Sequence, residues 1–135
     1  PDCAHMWGFG KGVVSTSAHA RGVWFHEPQA DGSFKRNVID ETIGQTHALQ
    51  LVDLGGKPNL ITGKRKWAHR PGVDVGSEEP AWLVRYEFAD GTWTRHLIDE
   101  NSGVGTQFEV RDMNGDGKAD IVTSNKNGVF LFTQG

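Results

Sequence analysis

Asn37-Val38-Ile39-Asp40-Glu41 returns as His96-Leu97-Ile98-Asp99-Glu100, an offset of 59 residues. The same offset carries Ala30-Asp31-Gly32 onto Ala89-Asp90-Gly91, and Leu51-Val52-Asp53 onto Val110-Arg111-Asp112, with no gap between the matched segments. After a slip of two residues, Gly56-Lys57-Pro58-Asn59-Leu60-Ile61-Thr62 matches Gly117-Lys118-Ala119-Asp120-Ile121-Val122-Thr123. A fixed period of this size marks stacked or radial repeat architectures.

Within each repeat the apolar positions come in short bursts rich in Val, Ile, Phe and Trp, punctuated by turn residues, which is the pattern of strands. The innermost strands are read at His47 to Asp53 and Gln107 to Asp112, and the second strands at Asn59 to Gly63 and Asp120 to Ser124. Third strands are read at Gly22 to Glu27, Trp82 to Phe88 and Val129 to Thr133, and fourth strands at Ser33 to Ile39 and Thr92 to Ile98. Asp31-Gly32 and Asp90-Gly91 are hairpin signals between third and fourth strands. Gly103 and Gly105 stand where one repeat hands over to the next.

This predicts an all-β fold of four-stranded antiparallel meanders, about three β-propeller blades, in a single partial domain 1–135 with repeats at 4–46, 47–106 and 107–135. A plain β-sandwich carrying a relic of duplication is the competing reading, against which about eleven strands weigh. Propellers typically close with four to eight blades. The expectation is therefore a ring completed by a homo-oligomer or by a longer chain, with the strand missing after Phe132 supplied by a partner's amino-terminal segment.

The composition fits a globular chain: 36% hydrophobic, 23% charged, with 18 glycines and a formal charge of −3. Lys64-Arg65-Lys66 is the one basic cluster, so no nucleic-acid partner is expected. Cys3 is the single cysteine and leaves the redox compartment open. No apolar run reaches the length of a membrane span, and Pro1-Asp2-Cys3 opens without a targeting pattern, which predicts a soluble chain whose leader has been removed.

Asp112-Met113-Asn114-Gly115-Asp116-Gly117-Lys118-Ala119-Asp120 places oxygen-bearing side chains at positions 1, 3, 5 and 9 with glycine at 6. Calcium takes six to eight oxygens, and Asp112, Asn114, Asp116 and Asp120 with the Lys118 carbonyl would supply most of them. Thr123 stands where an EF-hand needs its bidentate Glu, and the residues after Asp120 read as a strand. An Asx-rich turn without an ion is the alternative.

Asp112 to Thr123, followed by Gly128-Val129-Phe130-Leu131-Phe132, resembles the FG-GAP or VCBS repeat family of calcium-loop β-propellers. Gln45 to Leu49, Thr62 to His69 and Ser102 to Phe108 are similar to bacterial propellers of the same class. The resemblance implies a calcium-stabilised module, extracellular or periplasmic, and leaves open adhesion, sugar binding and catalysis. The chain departs from the family in its first two repeats. Asp53-Leu54-Gly55-Gly56-Lys57-Pro58-Asn59 lacks the central oxygens and Gly8-Phe9-Gly10-Lys11-Gly12 has no acidic residue, so one calcium site is expected.

Antiparallel alternation puts the calcium loop and the Asp-Gly hairpins at one end of the strands. The opposite end collects His19, Arg21, the segment 64–80 with Trp67, His69, Asp74, Glu78 and Glu79, the handovers 42–47 and 101–107, and Asn125 and Lys126. Candidate ligand-binding residues there are His19, His47, Arg65, Trp67 and His69. His47, which precedes an innermost strand, leads them, with a packed histidine as the alternative. Trp67 and Trp24 also read as blade-packing aromatics, and 64–66 as a solvated charged loop. A metal held by His19, His47 and His69 has no close-spaced ligand pair to support it. Two function classes follow: a noncatalytic module for a carbohydrate or protein ligand, and a lyase or dehydratase on keto- or uronic-type sugars. In the second, His47 or Lys64 would abstract a proton and Arg65 would steady the anion.

Overall fold

The computed structural model describes residues 6–9, 12–17, 19–67 and 69–135, with the backbone alone for 6–9. Among them there is no helix, and eleven strands form three antiparallel sheets in which consecutive strands are neighbours. The first sheet holds β1 (Met6–Phe9), β2 (Gly12–Thr16), β3 (Arg21–Pro28) and β4 (Phe34–Gly44). The second holds β5 (Thr46–Asp53), β6 (Pro58–Lys64), β7 (Leu83–Ala89) and β8 (Thr92–Asp99), and the third β9 (Phe108–Arg111), β10 (Asp120–Asn125) and β11 (Gly128–Phe132).

The expected strands are therefore present in order. β4 runs on to Gly44, past the expected end at Ile39, because Arg21 pairs with Gly44 beyond a register shift that separates it from Val23 opposite Asp40. Asp90 and Gly91 both have positive φ, 51° and 74°, which is the two-residue type I′ hairpin matched to strand twist. The hairpin at Asp31-Gly32 is longer, closed by hydrogen bonds from Gln29 N to Ser33 O and from Gly32 N to Gln29 O. Met6–Phe9 pairs with β2 of its own sheet, so this part of the amino-terminal segment is already engaged. Residues 1–5 of that segment lie outside the described residues, as do Gly10 and Lys11 of the first shortened loop.

The second sheet is covered on both faces. Leu49, Leu60, Val84 and Tyr86 point to one side and join Val14, Val23 and Ile43 of the first sheet in one cluster. Ala48, Ile61 and Leu83 point to the other and join Phe108 and Ile121 of the third sheet, with Val104 from the connecting loop. Burial on both sides explains why Leu60-Ile61-Thr62 and Leu83-Val84 are continuously apolar or small, where a half-exposed strand would alternate.

The repeat shows how the sheets stack. Leu49, Leu51 and Leu60, which face the first sheet, correspond to Phe108, Val110 and Ile121, which face the second. Each sheet thus offers the same face to the sheet before it. The corresponding face of the first sheet, with Val38 53% exposed, and the reverse face of the third, with Val129 77% and Leu131 58% exposed, are not covered by the described residues. Trp24, opposite Val38 in the register, has a buried indole N–H with no hydrogen-bond acceptor among the described residues.

Polar links cross the first seam. The Tyr86 hydroxyl donates to Asp40 Oδ2 at 2.6 Å, and Arg95 reaches both Asp40 Oδ2, at 3.4 Å, and Thr42 Oγ1, at 3.1 Å. Burial alone would raise the Asp40 carboxyl. Hydrogen bonds from Thr42 and Tyr86 and the charge of Arg95 outweigh it and hold that group below the usual carboxylate range.

Candidate functional site

Strand alternation brings the β2–β3, β4–β5, β6–β7, β8–β9 and β10–β11 connections to one end, and backbone hydrogen bonds knit them together. Lys64 is the hub: its N–H donates to Trp82 O, its C=O accepts from Val104 N, and the next amide, Arg65 N, donates to Gln45 O. Gly103 must approach this hub closely. Its φ is +47°, and a Cβ there would lie 2.1 Å from Lys64 O, so only glycine fits. Gln45 is fully buried with φ of 52°, an uncommon conformation for a non-glycine residue, and its amide donates to Val75 O at 3.2 Å.

Three groups of side chains stand at this end. In the first, His69 Nδ1 lies 2.9 Å from Asp74 Oδ2 and His19 Nδ1 lies 3.4 Å from Asp74 Oδ1, while the two imidazoles stack at 5.0 Å between centroids and 19° between planes. The Asp74 side chain is only 9% exposed. The hydrogen bond to His69 and then that to His19, against an opposing effect of burial, hold its carboxyl below the usual range.

The second group is the ion pair of Arg21 and Glu79, a two-pronged contact in which Nη2 meets Oε1 and Nη1 donates to Oε2 at 3.1 Å. Arg21 Nη1 also donates to Thr42 O at 2.5 Å, so the pair fastens the β6–β7 loop to the end of the first sheet. Lys64, fully buried, donates from Nζ to Arg65 O at 3.3 Å. Burial disfavours its ammonium, Lys66 and Arg21 add to this, Glu79 and Glu78 oppose it, and the lysine is held below its ordinary range.

The third group lines a cleft of about 250 Å3 between the second and third sheets, formed by Arg65, Lys66, Trp67, Thr106, Asn125 and Lys126 with neighbouring backbone. Lys66 Nζ and Lys126 Nζ stand 5.7 and 5.0 Å from the Trp67 ring centroid, and Lys126 Nζ donates to Trp67 O at 2.9 Å.

The candidate residues thus separate. His19 and His69 meet at Asp74, Arg65 and Trp67 share the cationic cleft, and Lys64 is closed off beneath both. His47 sits apart, at the register shift between Thr46 and Leu49 of β5, with its carbonyl accepting from Thr16 Oγ1 at 3.3 Å. The trio of histidines weighed as metal ligands does not converge; Asp74 stands in the place given to His47. Lys126, Asp74 and Glu79 were legible only as members of this loop end. Their partners are remote in sequence, 59 residues away for Lys126 with Trp67 and 55 for Asp74 with His19, so spacing gave no pairing signal.

At the other end, the loop 112–120 is wound on its own side chains. Asp112 Oδ1 accepts from Asn114 N and Gly115 N and its Oδ2 from Gly117 N, Asn114 Oδ1 accepts from Asp116 N, and Asp116 Oδ1 accepts from Lys118 N. The amides of Gly117 and Gly115 pull the Asp112 carboxyl below its usual range. Asp120, fully buried, accepts from Met113 N and Gln134 N. The donors are hard oxygens with lone pairs to spare, which suits calcium in kind. Among the described residues, however, Asp112, Asp116 and Asp120 do not close on one point as His19, His69 and Asp74 do. Asp53, in the shortened loop, accepts from Gly56 N at 2.7 Å.

No family model matches the sequence, and no curated protein or solved structure matches it either.

The depressed Lys64 yields a pH prediction. Its charged form is disfavoured in the fold, so the penalty is complete below the folded pKa, fades as pH rises, and is gone above the unfolded value of about 10.4. Lys64→Met should raise the urea midpoint at neutral pH and flatten the alkaline rise of stability expected of the unaltered protein. A lower midpoint with the rise intact would mean that the ammonium is a net stabiliser.

Proposed function

We propose that this chain is a calcium-stabilised β-propeller module of the FG-GAP or VCBS type that binds an acidic carbohydrate without transforming it, in an extracellular or periplasmic setting. The observation that carries the binding reading is the cleft lined by Arg65, Lys66, Trp67 and Lys126, with two ammonium groups over the Trp67 ring. Three cations lining one cleft fit a uronate, whose carboxylate pairs with the ammonium and guanidinium groups while its C–H face lies on apolar surface. The competing lyase or dehydratase reading draws support from the depressed Lys64, but that amine is buried and bonded to Arg65 O, and among the described residues no acid–base pair faces the cleft.

In the propeller reading each sheet is a blade, and β5 is an inner strand because it touches β1, β2 and β9. The stacking of like face on like face leaves two complementary surfaces, one around Trp24 and Val38 and the other around Val129 and Leu131. We assign these to each other across two copies of the chain, packed head to tail into a ring of six blades. A second copy would cover the apolar side chains. The edge at β11 lies beside a cleft of about 190 Å3 lined by Ile61, Ile98, Ile121 and Phe132, where a fourth strand would lie.

Calcium, in this reading, joins β9 to β10 and draws the loop oxygens together, adding stability by binding the native state alone.

These readings are tested separately. By titration calorimetry, oligo-uronates should bind and neutral oligosaccharides of equal length should not, with Trp67→Ala and Lys126→Ala each weakening binding about tenfold, or roughly 1.4 kcal/mol. Equal binding of the neutral sugars, or ultraviolet absorbance from a new conjugated double bond, would overturn it. Light scattering should give the mass of a dimer at micromolar concentration, and Leu131→Asp should give a monomer; a monomeric unaltered chain would refute the assignment. Calcium should raise the melting temperature, and Asp116→Ala should abolish that rise while Asp53→Ala leaves it. Equal losses in both variants would end the single-site reading.

A further inference from the structure

We infer that His19, His69 and Asp74 form a binding site for a divalent transition metal of the zinc class, distinct from the calcium loop. Each imidazole directs Nδ1 at a different oxygen of one carboxylate, and the ligand atoms of the three residues all lie within 4.8 Å of one another. Zinc bonds to histidine nitrogen and carboxylate oxygen are about 2.0–2.2 Å, which puts neighbouring donors of a tetrahedral site roughly 3.3–3.5 Å apart. The observed separations, 3.4 and 2.9 Å, are already near that spacing. The ion takes the place of the protons that the carboxylate shares with the two rings, and loading turns the stacked imidazoles so that both Nδ1 lone pairs meet at it.

The donors also select the metal. Two imidazole nitrogens and one carboxylate suit zinc, copper, nickel or iron, whereas calcium and magnesium require shells of oxygen. Three protein ligands leave a fourth position for water or for a ligand atom. Supports from two sheets hold the set: Ser17 Oγ accepts from His19 N and Ala20 N in the loop after β2, and Ser77 N donates to Asp74 O in the loop after β6, where Ser77 Oγ also accepts from Gly72 N. The ion therefore bridges the first and second sheets.

The test is a titration of chelator-stripped protein with Co2+ at neutral pH, read by visible absorption. One Co2+ per chain should produce the intense d–d bands of a low-coordinate site, and Zn2+ should displace it. His69→Ala and Asp74→Asn should each weaken Co2+ binding by about tenfold or more, while Asp116→Ala, in the oxygen loop, should leave it unchanged. His69 is 57% exposed, so its truncation spares the fold, and circular dichroism verifies this for each variant. Only the weak bands of hydrated cobalt, or intense bands that persist in both His69→Ala and Asp74→Asn, would overturn the assignment.

Discussion

Burial of the second sheet on both faces is the constraint from which the arrangement follows. A four-stranded sheet with one wet face can tolerate polar residues at every other position, but Leu60, Ile61 and Thr62 have no wet side. They require a sheet before and a sheet after. The chain supplies both, and because the repeat presents homologous faces in the same sense, the three sheets stack as a series with an unused face at each end. A stack of this kind has direction. It can be extended or closed, but its two ends cannot pair with themselves, which is the geometric difference between a heterologous and an isologous interface.

The same stacking sets the chemistry of the loop end. Connections from neighbouring sheets are pressed together there, and their backbone polar groups have to be satisfied in partly dry surroundings. Lys64 meets that need with both its N–H and its C=O, to Trp82 and Val104. Arg21 and Glu79 fasten the long β6–β7 loop to the first sheet, and Lys126 holds Trp67 from the third. Both seams thus end in charged groups held by defined partners. Preorganised charge of this sort differs from a solvated basic loop, the simpler reading of Lys64-Arg65-Lys66, since the ammonium groups beside Trp67 have given up part of their freedom before any ligand arrives.

Much of the strand order was legible because period-two patterning and turn residues agree. Thr92 to Ile98 reads as a strand after Asp90-Gly91, and β8 occupies Thr92–Asp99. The first two strands were less legible, since Gly8 to Gly12 lacks the residues that mark the corresponding turn in the third repeat. Antiparallel logic placed His19 and His69 at one end but could not pair them, because what joins them is Asp74, held in a turn closed by Ser77 N to Asp74 O. A turn inside an eighteen-residue connection, 65–82, leaves little trace in apolar spacing. The register shift beside His47, between Thr46 and Leu49, was not legible for a related reason: a strand pattern read in strict alternation has no place for a bulge.

The two ends of the strands differ in donor chemistry in a way that follows from their origins. The loop 112–120 is local: its oxygens are two residues apart in sequence and a glycine-permitted turn gathers them, whereas Asp53 to Asn59 lacks the central oxygens. The histidine cluster is assembled across a seam, from a loop of the first sheet and a loop of the second, and it exists only when those sheets are packed. A local loop can wind on its own side chains before the rest of the chain is in place. A seam site reports on the packing itself. Opening the first seam, where Tyr86 meets Asp40, would separate His19 from Asp74, so whatever binds the cluster is thermodynamically linked to the burial of the second sheet's first face.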